Sequence, residues 1–373
     1  MSSSSARAPA PPAVTDATAA SEAELREAAS LLLGAPASAG CTFTRASGGV
    51  NNKCYYVETA GGGSFVLRIY NNGFRADRVV YEHAVLRALA RTSAPSLPFA
   101  LPTLVPAAGA ASAAADDACM VALASGAHAC LFVRAPGGGA ALGAARAIGR
   151  ATARLVAAMA ALPAGAVPAL CPNPQYRNLY ASHHTTTRES VAAGMAGPAC
   201  DAVRADVQYL LGAVAAAEAA IAAALAAPLP EQQIHADVHF DNVLVDARGE
   251  VTAILDFEFS SWDWRVMDLA VGLSKYAGLP GADAALDDWL AGYAEGGGAL
   301  TAAEAALAPD LIAVRILSNV VYFCGRAMAG EDEWSCLTSR AAAYANRIRW
   351  LAEKKGWLVA LLTDRLVPPA ARD

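Results

Sequence analysis

Lysine is almost missing from this chain of 373 residues. Of its 28 basic side chains only Lys53, Lys275, Lys354 and Lys355 are lysines, so anion binding in the body of the protein falls mostly to arginine. Charge of either sign is sparse: charged residues make up 17%, and the formal net charge is −6. That balance leaves no broad basic footprint for nucleic acid or an anionic membrane surface, and both drop out as expected partners. Paired cysteines are missing too. Cys41, Cys54, Cys119, Cys130, Cys171, Cys200, Cys324 and Cys336 are scattered without a C-x-x-C pair, and no secretory apolar run precedes them. They read as small buried hydrophobes in a reducing compartment, which argues against a disulfide framework or a structural zinc. The longest uncharged stretches, 94–115 and 155–176, are each broken by four prolines, so neither forms a membrane-spanning helix.

What is abundant is alanine, about a quarter of the chain. The 55% hydrophobic share therefore overstates the strongly apolar content, which is an ordinary globular one. A chain of this length is expected to form two structural units or one large bilobal one. Residues 1–20, rich in Ser, Ala and Pro, read as a disordered tail, with a cytoplasmic location expected. A plastid or other organelle becomes the destination if that segment is a transit peptide.

The sequence predicts a helix over 21–33 and then a β-rich region over 41–134. Within it, 54–58 and 64–70 form strands joined through Gly61-Gly62-Gly63, a hairpin signal. One helix over 76–91 interrupts the strands. From residue 140 onward the pattern turns helical, with helices expected over 140–162, 201–227, 283–295, 301–329 and 334–355 and a short strand pair within 243–255. The expected organisation is a tail (1–20), an N-terminal nucleotide-binding lobe (21–134), a C-terminal catalytic and substrate lobe (135–360) and a second tail (361–373).

The densest polar cluster is IHADVHFDNVLVDARGEVTAILDFEFSSWDWRVMDLA, residues 234–270. Two apolar strands flank the turn Asp246-Ala247-Arg248-Gly249, in which Gly249 is free to take a positive φ. Pairing outward from that turn brings Asn242 and Asp256 together at the open end of the hairpin, and Asp237 lies five residues before Asn242. An amide oxygen and carboxylates converging on one spot make a hard oxygen site suited to Mg²⁺. Phosphoryl transfer needs little more: metal ligands, a carboxylate to accept the hydroxyl proton, and cations near the phosphates. Asp and Asn also populate ordinary turns, but the ordered set H-x-D-x-x-x-x-N, hairpin, L-D-F-E is far more specific than any one of its members.

The β-rich region adds a second piece. Ser47-Gly48-Gly49-Val50-Asn51-Asn52 precedes a strand, where glycines let backbone N–H groups approach phosphates. On the following helix Val79, Glu82, Leu86 and Leu89 share one arc, so Glu82 sits in an apolar stripe. A carboxylate there is costly unless paired, and Arg68 on the neighbouring strand is the expected partner.

HADVHFDN followed by ILDFEF, with GGVNN and FVLRIY upstream, resembles the aminoglycoside phosphotransferase and choline kinase superfamily, from about residue 46 to residue 344. The resemblance implies an α+β, bilobal, protein-kinase-like fold: a small β-rich N-lobe with one helix and a larger, mostly helical C-lobe. It implies ATP and Mg²⁺ as cofactors and a small-molecule alcohol as the acceptor. Asp237 would be the catalytic base, and Asn242 and Asp256 the metal ligands. Ser47, Gly48, Gly49 and Asn51 would cover the ATP phosphates, with Arg68, where protein kinases carry lysine, and Glu82 completing the nucleotide site. Residues 129–134 would be the hinge to adenine, and Asp268 a structural brace for the catalytic loop. Glu258, Trp262 and Arg265 are the substrate-side candidates. The run DFEFSSWDWRVMDLA is similar to homoserine kinases of this fold and also to choline and ethanolamine kinases. A carboxylate-bearing acceptor would need one of Arg265, Arg177, Arg188, Arg315 or Arg326. A quaternary ammonium would want a cage from Trp262, Trp264, Tyr293, Tyr322 and Trp334. A member that binds nucleotide without catalysis is the remaining reading, and the presence of Asp237 and Asp256 speaks against it.

Overall fold

The computed structural model describes residues 19–46, 52–70, 75–92, 96–110, 118–227 and 229–371. The chain divides into two compact units, one drawn from Met1–Ala76 and Thr103–Arg134, the other from Asp77–Pro102 and Ala135–Asp373.

In the first unit, α1 (Glu22–Leu33) begins where the Ser21 hydroxyl accepts a hydrogen bond from the Glu24 N–H and ends at Gly34, followed by the single turn α2 (Ala35–Ser38). The strands are β1 (Thr42–Arg45), β2 (Asn52–Glu58), β3 (Ser64–Tyr70), β4 (Thr103–Val105), β5 (Met120–Ala122) and β6 (His128–Val133). They form one antiparallel sheet in the order β1-β2-β3-β6-β4, with β5 also paired to β6. β2 and β3 are the expected hairpin, turned at Gly62 with φ 83°. Tyr55, Val57, Leu67, Ile69 and Leu131 from the sheet bury against Leu25 and Leu32 of α1.

The segment between β3 and β4 belongs elsewhere. α3 (Ala76–Thr92) lies, from Asp77 on, in the second unit, so the first unit is not the continuous 21–134 stretch that the sequence suggests. The reason is hydrogen bonding: the Tyr81 hydroxyl donates to Gln233 Oε1 at 2.7 Å, and the Ala100 backbone exchanges bonds with Thr252 and Ile254. The predicted arc of α3 is buried, Glu82 included.

The second unit carries α4 (Ala145–Ala160), α5 (Arg188–Ala196), α6 (Arg204–Ala226), α7 (Val266–Ser274), α8 (Ala282–Glu295), α9 (Ala302–Met328) and α10 (Ser335–Leu366). Short strands β7 (Gly138–Gly139), β9 (Val243–Val245) and β10 (Val251–Ile254) form one sheet. A two-stranded ribbon pairs β8 (Glu231–Ile234) with β11 (Ser261–Trp264). α10 runs past 355, because Leu358, Leu362 and Leu366 continue the buried stripe and Gly356 faces open space. The tail expected from 361 is therefore partly helix. α9 and the 198–226 stretch ending in α6 are long and apolar enough to cross a membrane, but α9 is largely buried in this unit and carries Arg315 in its middle. All eight cysteines are free thiols, as expected.

α4 and α8 meet backbone to backbone. A Cβ at Gly292 would collide with the Arg146 carbonyl, and one at Gly149 with the Trp289 carbonyl. Gly292→Ala should therefore force the two helices apart and destabilise by about 1–3 kcal/mol, which would appear as a lowered thermal unfolding midpoint.

Candidate active site

The site is built on the β9–β10 hairpin. Its turn is held by Asp246, whose carboxylate accepts from the N–H groups of Arg248 and Glu250, with Gly249 at φ 82°. At the open end the Leu255 N–H donates to the Asn242 carbonyl at 2.8 Å, which carries the pairing one step beyond Ile254↔Val243. The hairpin expected from the sequence thus sets Asn242 next to the residue before Asp256.

The segments on either side of the hairpin, before β9 and after β10, are under backbone strain. Ala236 has φ 68° and Asp256 φ 65°, left-handed conformations that cost a non-glycine residue about 1–2 kcal/mol each. Asp268, fully buried at the start of α7, compensates by accepting from the N–H groups of His235 (3.1 Å) and Ala236 (2.8 Å). Burial pushes its carboxyl up to about 7, against the pull of those two donors. Asp268 thus has the bracing position that the resemblance implies. His235, also buried, accepts from the Asp237 N–H through Nδ1, so its proton sits on Nε2, 3.0 Å from the Leu255 carbonyl. Burial lowers it to about 4, a neutral strut between the two halves of the site.

Asp237 is nearly buried, and its two oxygens face different neighbours. Oδ2 accepts from Asn242 Nδ2 at 3.0 Å and lies 3.3 Å from His239 Nε2; Oδ1 accepts from Arg315 at 2.8 Å. Burial opposes its charge, but His239, Arg315 and Lys275 outweigh it and hold the carboxyl well below the usual carboxylate range. Arg315, on α9, is in turn held by Asn319 Oδ1 at 2.5 Å. His239 Nδ1 accepts from the Asp241 N–H, and the Asp241 carboxylate pairs with Lys275 at 3.1 Å. Burial disfavours that charge as well, yet His239 and Lys275 hold Asp241 at about 2.

The donor set fits a hard divalent cation. Asn242 spends its Nδ2 on both the carbonyl and Oδ2 of Asp237, which leaves Oδ1 as an outward acceptor beside the Asp256 segment.

The other candidates lie on several elements. Ser47, Gly48, Gly49 and Asn51 lie outside the described residues. Arg68, on β3 of the first unit, lies 5.2 Å from the Phe132 ring and 5.8 Å from the Tyr70 ring. Glu82 is buried on α3 of the second unit. Glu258 is buried two residues beyond Asp256, and its charge is felt by Tyr322. Trp262 is half exposed on β11. Arg265 forms a bidentate pair with the buried Glu304, both bonds at 2.8 Å, and so braces α7 against the start of α9. Among the five arginines weighed from the sequence, Arg177 pairs with Glu231, Arg188 with Glu218 and Arg326 with Asp332; Arg315 is the one bonded to Asp237. Two of the five aromatics weighed for a cage are committed to the core. Trp264 is core beneath Arg177, and Tyr293 stacks on Trp289 at 5.3 Å.

His239, Lys275 and Asn319 were missed from the sequence. His239 stood inside the motif and could have been read as a second polar partner of Asp237. The others come from distant helices and leave no local signal.

With this geometry in place, the comparisons identify the class. The family model described as "Phosphotransferase enzyme family" matches residues 42–308, and the chain belongs to that family. It is thus a phosphotransferase with an alcohol group as acceptor. No relative is found among curated protein sequences. Three solved structures share the fold, each at 18% identity. A microcompartment-associated aminopropanol kinase has TM-score 0.64, with 90% of this chain and 98% of that one covered. A choline/ethanolamine kinase family protein from Mesorhizobium loti has TM-score 0.59, covering 91% and 98%. An amicoumacin kinase, in complex with AMP-PNP and Ca²⁺, has TM-score 0.56, covering 87% and 91%.

His235 yields a pH prediction. Between about pH 6.5 and 4 the unfolded chain binds a proton at this residue that the folded chain does not, so its contribution to stability falls as pH drops through that window. His235→Gln should flatten this part of the stability profile relative to the wild type, as measured by chemical denaturation across pH.

Proposed function

We propose that this phosphotransferase is an ATP- and Mg²⁺-dependent kinase that phosphorylates a hydroxyl of an amino acid or amino alcohol. Homoserine is the first candidate acceptor, and choline or ethanolamine the alternative. The observation that carries the reading is the Asp237 carboxylate, held ionised and oriented by Asn242 on one oxygen and Arg315 on the other. Such a group is suited to accept the acceptor's hydroxyl proton as the oxygen attacks the γ-phosphorus. Its low basicity matches a transition state in which the proton leaves late and little base strength is needed. Asn242 and Asp256 would hold Mg²⁺, which supplies neutralisation of phosphate charge. Arg68 takes the phosphate-side role that a lysine fills in protein kinases, consistent with the scarcity of lysine, and Ser47, Gly48, Gly49 and Asn51 contribute backbone N–H groups. Glu82 is its proposed ion-pair partner. Glu258 and the half-exposed Trp262 are proposed to face the acceptor; Arg265, committed to Glu304, is retained only as the brace of that wall.

Two measurements test the reading. Asp237→Asn should lower turnover by about 10²–10⁴-fold with the fold intact, read by coupled ADP release over a panel of homoserine, threonine, choline, ethanolamine, methylthioribose and kanamycin. Wild-type activity in that variant would remove Asp237 as the base. Asp256→Ala should raise the Mg²⁺ concentration needed for half-maximal rate at least tenfold; an unchanged titration would take it out of the metal site.

A further inference from the structure

Three cations from three helices lie in sequence around Asp237: Arg315 bonds it, Lys275 acts on its charge, and Arg347 stands one step further out, within reach of Arg315. Arg315 comes from α9, Lys275 from the end of α7 and Arg347 from α10. Each lies within electrostatic reach of another: Arg315 acts on Arg347 and also on Lys275. Two carboxylates answer them, Asp237 on Arg315 and Asp241 on Lys275. Arg347 has no carboxylate partner among the described residues. It donates to the Ser274 carbonyl at the end of α7, and its Nε has no hydrogen-bond partner there. Burial, and after it the nearby Arg315, push it down to about 10.

A helix C-terminus supplies about half a negative charge, so Ser274 compensates Arg347 only in part. Arg347 is partly exposed with its Nε buried, and an arginine fork is shaped for a planar bidentate anion. The position matters as much as the charge. Asn242 and His239 occupy the Oδ2 side of Asp237, where the metal-ligand candidates lie, whereas Arg315 occupies the Oδ1 side. Tyr176 and Tyr344 wall the same region, each with a ring about 6 Å from a guanidinium: 6.0 Å from Arg315 and 6.0 Å from Arg347 respectively.

We propose that Arg347, with Arg315 and Lys275 beside it, forms a subsite for a carboxylate carried by the acceptor, so that the acceptor is a hydroxylated acid or amino acid and not a bare amino alcohol. This rests on the kinase reading above and narrows its substrate class. No bond is made or broken at the subsite. Its role is to hold the far end of the acceptor while the hydroxyl faces Asp237.

The test uses matched pairs that differ only by the carboxylate: homoserine against 3-aminopropan-1-ol, and threonine against 1-aminopropan-2-ol. With ATP, Mg²⁺ and the full chain, the carboxylate member should be favoured in kcat/KM by at least about 30-fold, the loss that follows when a buried charge pair goes unmade. Arg347→Met should shrink that ratio at least tenfold, and Arg347→Lys should restore part of it. Equal or better use of the decarboxylated member overturns the proposal. So does a variant that slows both members alike, since that is the result of a merely structural tie to α7, or one that raises KM for ATP instead, since that marks a phosphate role. Calorimetry keeps the two readings apart. Protein that binds Mg·AMP-PNP but neither homoserine nor threonine loses the subsite alone, whereas protein that binds no nucleotide loses the kinase reading as well.

Discussion

The loop that carries Asp237 depends on one buried carboxylate. Asp268 sits at the first turn of α7 and accepts from two consecutive backbone N–H groups, those of His235 and Ala236. That acceptor helps to balance the left-handed Ala236 and to fix the direction in which Asp237 projects. Strain at a functional loop persists only where the surroundings over-determine it. Here they do so three ways: through Asp268, through the neutral His235 bridging to Leu255, and through the Asn242 carbonyl that accepts from Leu255.

On this frame the polar groups form a chain: Lys275 pairs with Asp241, the Asp241 N–H donates to His239 Nδ1, His239 Nε2 lies 3.3 Å from Asp237, and Asp237 pairs with Arg315. Each link offsets the desolvation of the next, which is how a nearly buried aspartate stays ionised. The same arrangement assigns sides to Asp237, with a metal ligand candidate on one oxygen and a guanidinium on the other. Phosphoryl transfer asks little of a protein beyond such positioning. The two-sided carboxylate is therefore the central chemical feature, and on the subsite proposed above the cations beyond Arg315 would select the alcohol.

The helices serve this geometry by committing other charged residues to structure. Arg265 illustrates it: adjacent to the motif and a reasonable substrate ligand on sequence, it instead ties α7 to the capping box of α9, where Glu304 also accepts from the Thr301 N–H. The close α4–α8 contact, possible only because Gly149 and Gly292 lack side chains, packs a second helix pair in the same unit.

The local pattern alone determined the catalytic hairpin, the placement of Asn242 ahead of Asp256 and the buried arc of α3 with Glu82 on it, whereas the phosphotransferase class followed from the resemblance of the motifs to a known family. Each of those three local features depends on residues within about twenty positions of one another, where periodicity and turn chemistry constrain the chain directly. Only the tertiary structure decided which of the arginines reaches Asp237, that Asp77–Pro102 packs with the larger unit, that α10 continues to Leu366, and that Arg347, within reach of Arg315, has no carboxylate partner among the described residues. Those contacts join helices separated by dozens of residues. The low complexity of an alanine-rich chain gives no local mark of which side chains will meet, and burial, charge pairing and backbone packing select them only once the helices are in place.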